Sequence, residues 1–146
     1  FKFQIMIKFF PLLFLIFSCS SSKEVTDNSF SVIYKSEMGG TEKAGYTLIQ
    51  NNESYIQFIE SLKLDESQYA NFLAVDFKKK DVLVLYQGQK NSGGYAIDIE
   101  SLKNENQTIF IKKREIAPKK GELATTVITS PYCIALIPKS KRVVVE

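Results

Sequence analysis

The 146-residue chain carries 19 Lys and Arg against 16 Asp and Glu, two cysteines, no tryptophan and no histidine. Without histidine it lacks the commonest general base, the commonest metal ligand and any Ser-His or Cys-His nucleophile pair. A net charge of +3, spread among interleaved acids and bases, excludes the basic footprint of a nucleic-acid partner.

In chain order, Lys8 precedes the apolar run FFPLLFLIF at residues 9–17. That run is shorter than the roughly 20 apolar residues a membrane-spanning helix needs, and it suits the h-region of a signal peptide. Ile16, Phe17, Ser18 and Cys19 resemble the lipobox of bacterial lipoproteins, with Phe17 bulkier than usual at its position. The resemblance implies removal of residues 1–18, lipidation of Cys19, and an exported protein anchored to the bacterial cell-envelope membrane. Acyl chains contribute about 0.8 kcal/mol per buried methylene, so such an anchor holds durably. An ordinary secretory signal cut near Ser20 and a retained anchor helix are the alternatives, and translation could start at Phe1 or at Met6. Loss of Lys2 and Lys8 leaves 17 basic residues against 16 acidic ones. With Cys19 acylated, Cys133 is the only thiol and no intrachain disulfide can form.

Residues 19–28 are polar and small beyond the cysteine, without apolar periodicity, and read as a flexible tether. The remaining residues 29–146 suffice for a single domain. Residues 30–35 and 45–50 are β-branched and aromatic and predict two strands, read as a hairpin across the turn at residues 38–41. Asn51, Asn52, Glu53 and Ser54 offer helix-capping chemistry, with Ser54 and Gln57 as an alternative capping box. Tyr55, Phe58, Ile59 and Leu62 follow at helical spacing and predict a helix of about ten residues. The polar stretch 65–68 reads as a loop.

After a lysine turn at residues 78–80, VLVLY at 82–86 suits a central strand buried on both faces. Residues 95–100 alternate apolar and polar, residues 103–107 are turn-rich, and 108–114 complete the clearest hairpin. Loop 115–122 precedes three further short strands at 124–129, 132–137 and 143–145. Eight short strands, one helix and no βαβ rhythm predict a mainly β (α+β) fold, an antiparallel β-sandwich or open barrel with one packed helix.

The chemistry on offer is sparse. Cys133 sits in an apolar strand without a base and reads as a buried, inert thiol. Asp76, Asp81, Asp98 and Glu100 read as solvated charges, so carboxylate-pair catalysis is not expected. Gly93 and Gly94 suit a turn at a strand entrance, and no phosphate-loop pattern surrounds them. The expectation is a protein that is not an enzyme and uses no metal, cofactor or small-molecule substrate.

Val75-Asp76-Phe77, the run 82–85, Gly88, Asn91-Ser92-Gly93-Gly94-Tyr95, Thr129-Ser130-Pro131-Tyr132-Cys133 and Ile137-Pro138-Lys139 together resemble the C-terminal domain of PrcB-like proteins over residues 70–146. Ser92 replaces the usual threonine, and loop 114–124 carries Pro118-Lys119-Lys120-Gly121 where the family has more glycine. The resemblance implies a binding role as the accessory or stabilising partner of a secreted or surface protease. The contact loops would hold Asn91, Ser92, Gly93, Gly94, Tyr95, Pro118, Lys119, Lys120, Gly121, Ser130, Pro131 and Tyr132. A loop-based protease inhibitor of chagasin-like type and a structural envelope lipoprotein are the alternative readings.

Overall fold

The computed structural model describes residues 27–72 and 74–146. The expected signal segment, Cys19 and most of the expected tether lie outside the described residues. Among the described residues, seven strands form two sheets. Strands β1 (Ser31–Ser36), β6 (Tyr132–Pro138), β3 (Lys80–Tyr86) and β2 (Gly45–Ile49) lie side by side in that order. The second sheet has β5 (Thr108–Ile116) between β4 (Ala96–Glu105) and β7 (Arg142–Val145). All pairs are antiparallel except β5 with β7.

The four-stranded sheet is the middle layer of three. Strand side chains alternate between faces, so β3 sends Leu83 and Leu85 to one side and Val82 and Val84 to the other. From β6, Cys133, Ala135 and Ile137 join Leu83 and Leu85 against Ile97, Ile99, Ile109 and Ile111 of the second sheet. On the opposite face Val82, Val84 and Ile134 pack against Tyr55 and Ile59 of helix α1 (Asn52–Ser61). This double burial explains why VLVLY reads as one unbroken apolar run.

The helix forms where its periodicity places it. Asn51 is the cap, its Oδ1 accepting from the Ser54 N–H at 2.8 Å, so the Ser54–Gln57 alternative is not used. A second helix, α2 (Glu66–Tyr69), replaces the expected loop. Asp65 accepts from the Gln68 N–H at 3.0 Å, and the Gln68 side chain accepts from the Asp65 N–H at 3.3 Å, closing a capping box.

Three further expectations are corrected. Strands β1 and β2 do not form a hairpin; they occupy opposite edges of their sheet, with β6 and β3 between them. Residues 124–129 are not a strand, and only Thr129 makes a bridge, to Lys90. Asp81 and Asp98 are not solvated. Asp81 is 0% exposed beneath Lys139 Nζ at 3.0 Å and Gln50 Nε2 at 3.2 Å. Asp98 is buried between Lys35 and Arg114. The β4–β5 hairpin turns tightly at Asn106 and Gln107, whose φ values of 49° and 63° suit a two-residue hairpin loop. A bulge between Ile99 and Ser101 shifts the register so that Leu102 also points inward.

Candidate functional site

One end of the middle sheet, where β3 finishes and β6 begins, gathers four chain segments. Gln87 donates its N–H to Pro131 O at 2.9 Å, and Lys90 and Thr129 exchange backbone bonds at 2.8 and 2.9 Å. Thr129 Oγ1 donates to Ser92 O at 2.8 Å, and the Gly93 N–H donates to Thr125 O at 3.0 Å. The segment after β1 joins through Ser130 N–H to Glu37 O and Gly40 N–H to Ser130 O, both 2.9 Å. Gln87 Nε2 reaches Ile116 O at 3.1 Å, tying in the loop after β5. Backbone bonds at 87, 90, 93, 125, 129 and 130 thus tie these loops to one another.

The two glycines have separate reasons. Gly94 has φ +86°, left-handed backbone that a side chain strains, and a Cβ there would meet Pro118 Cβ at 3.2 Å. Gly93 is needed for closeness, since a Cβ would fall 2.5 Å from Thr125 Oγ1. The glycines therefore seat loop 90–94 against both 118 and 125. Tyr95 follows half-buried, with Lys90 Nζ 5.4 Å from its ring centroid.

The predicted contact residues do come together here, but they are not equivalent. Asn91, Gly94, Lys119, Lys120 and Gly121 are exposed, while Ser92, Tyr95, Pro118 and Ser130 are half-buried. Gly93 is buried. Pro131 and Tyr132 point inward and offer no surface to a partner. Tyr132 is 2% exposed and stacks between Tyr34 and Tyr86, centroids 6.0 and 6.3 Å away. Burial, with Tyr34 and Tyr86 adding to it, pushes its phenol well above the ordinary range.

Sequence reasoning missed the apolar part of this surface. Met38, Ile116, Leu123, Val127 and Ile128 are exposed, Leu123 fully so, and all five lie on the segments just described. The β-branched run at 125–129 suggested a strand and concealed the exposure of Val127 and Ile128. The usable signal was position: the run stands between Gly121 and Pro131 with no alternation of apolar and polar residues. These solvent-facing aliphatic side chains set this end of the molecule apart from the rest of its surface.

The Cys133 thiol is fully buried, and burial pushes it up to about 12, far from the thiolate a nucleophile requires. Among the described residues no group of carboxylates and thiols converges on a metal position. A hollow of about 350 Å³ between α1 and residues 69–74 is lined by Tyr55, Ile56, Ile59, Tyr69 and Phe72, and it contains none of the predicted contact residues.

Fold and site define a β-rich domain of two stacked sheets whose chief surface feature is a knitted cluster of loops. Residues 82–138 match the family model described as PrcB C-terminal, in keeping with the PrcB-like resemblance over that stretch. The match runs from β3 to the end of β6 and encloses loops 87–95 and 116–131. No curated protein and no solved structure matches the chain.

Proposed function

We propose that this protein is a non-catalytic interaction module that docks through its loop end onto a protein partner, as an accessory or stabilising subunit of a protease complex. The observation that carries the reading is that exposed Met38, Val127 and Ile128, with Leu123 nearby in the chain, flank loops tied together by backbone bonds at 125, 129 and 130. A surface held rigid before binding loses little entropy on association, so a small apolar centre suffices for specificity. Lys119 and Lys120 sit beside that centre and suit a polar rim. The PrcB C-terminal match over 82–138 supports a protease complex as the setting, and the lipid anchor on Cys19 belongs to the same proposal. A protein held on the envelope would meet surface or secreted proteases there.

The test is capture of partners from detergent-solubilised envelopes by wild type and by Leu123→Asp plus Ile128→Asp. Both side chains are solvent-facing, so the variant keeps its melting temperature. Loss of a protease-containing complex with the folded variant supports the reading; identical capture by both proteins overturns it. Full projection of Leu123 favours one second reading, insertion of loop 117–128 into a protease cleft as an inhibitor. Slowed peptide turnover by the captured protease, relieved by Leu123→Asp, would single that reading out.

A further inference from the structure

The end of the molecule opposite the loop cluster is basic, and the chain enters the described fold there. Strand β3 starts at this end with Lys80, paired in register with Pro138. Lys139 donates its N–H to Lys79 O at 3.0 Å, and Lys141 donates to Gln107 O at 3.0 Å. Register pairing of Arg142 with Thr108 brings the start of β7 to the same place. Two basic clusters that are some sixty residues apart in sequence, 78–80 and 139–142, thus become one face.

The local acids do not neutralise it. Asp27 takes Lys80 Nζ at 3.1 Å and Asp81 takes Lys139 Nζ at 3.0 Å. Glu105, opposite Thr108 in register, pairs with Lys103 at 2.6 Å, and Asp76, held by the Lys78 backbone N–H at 3.1 Å, is a single acid against the cations that follow. Lys78, Lys79, Lys141 and Arg142 are exposed and form no ion pair among the described residues. At this same end Asn28 Oδ1 accepts from the Asn104 N–H at 2.8 Å, which fixes where the chain arrives.

We infer that this face, built on Lys78, Lys79, Lys141 and Arg142, rests on an anionic phospholipid surface and turns the loop cluster away from the membrane. Each lysine or arginine near such a surface adds attraction that sums over the cluster and fades within a Debye length. The face is polar and carries none of the exposed aliphatic side chains found at the other end, so contact is with headgroups and not by insertion. This orientation stands whether or not the loop cluster binds a protease.

The test uses the full chain with vesicles of phosphatidylcholine alone and of phosphatidylcholine mixed with phosphatidylglycerol. The readout is the ratio of the two partition coefficients, in which any common contribution from the apolar N-terminal run cancels. Lys78→Gln, Lys79→Gln and Lys141→Gln together should lower the ratio about tenfold or more. Lys43→Gln, Lys119→Gln and Lys120→Gln remove the same charge at the far end and should leave it unchanged. Equal loss in both triple variants, meaning that net charge alone acts, overturns the inference. So does no loss in the first, the outcome expected if the face meets an acidic protein or only water.

Discussion

Asp98 shows how one buried side chain joins the two sheets. Its carboxylate, on β4, accepts from Lys35 of β1, from Arg114 of β5 at 3.2 Å and from its neighbour's Ile99 N–H at 2.9 Å. Burial alone would raise its pKa; the Lys35 ammonium, the Ile99 N–H and the Arg114 guanidinium outweigh it and hold the carboxyl below the usual range. The folded state therefore binds fewer protons than the unfolded one. This contribution to stability is present above the unfolded value of about 4 and is lost as pH falls through the lower folded value. Asp98→Asn should cost about 1–3 kcal/mol near neutral pH, because it leaves two cations facing a neutral amide. Urea unfolding across the acid range checks both points: the gap between wild type and variant should close as pH drops below about 4. Local alternation in 95–100 assigned Asp98 to a solvated face. What that pattern could not show is that β1, more than sixty residues earlier, passes over it.

At the level of elements, the segments with their own periodicity were legible and those governed by distant partners were not. Helix α1 and the β4–β5 hairpin follow from spacing and turn chemistry within a dozen residues. The pairing of β1 with β6 does not, since nothing in 30–50 distinguishes a hairpin from two edge strands whose partners lie far along the chain. Loop 117–130 is the clearest case. Its β-branched residues have strand propensity, but propensity yields to context. Here backbone bonds to 90–93 and 37–40 replace a ladder. The glycine pair was legible as a turn, whereas its seating against Pro118 and Thr125 was not. Gly94→Ala should cost about 1 kcal/mol for the left-handed backbone, with further strain from Pro118. The damage should be local. Amide exchange at Gly93, which bonds Thr125 O, should quicken strongly, while amides of β3 and β6 quicken only by the small global change. Uniform quickening throughout would show that the loop cluster and the sheets open as one unit.

The molecule as a whole is organised around two strands that serve both cores. Every inward residue of β3 and β6 faces either the second sheet or the helix layer, so neither core can open without exposing the back of the other. A single cooperative unfolding transition follows. Leu85→Ala thins the inter-sheet core and Ile134→Ala the helix-side core, both at fully buried positions, and each should cost about 2–5 kcal/mol. With no tryptophan in the chain, tyrosine fluorescence reports chiefly the helix side, where Tyr55 and Tyr132 are buried, and far-ultraviolet circular dichroism reports both sheets. In denaturant the two signals should give the same midpoint for wild type and for each variant. Each substitution should move both signals together, with the slope m unchanged. Separate midpoints, with Ile134→Ala shifting only the fluorescence, would mean that the helix layer is a detachable cover and not part of the unit that holds the loop cluster in place. Coincident midpoints make the helix-side and inter-sheet cores one cooperative unit, so that under the proposed function core substitutions weaken partner capture only to the extent that they unfold the protein.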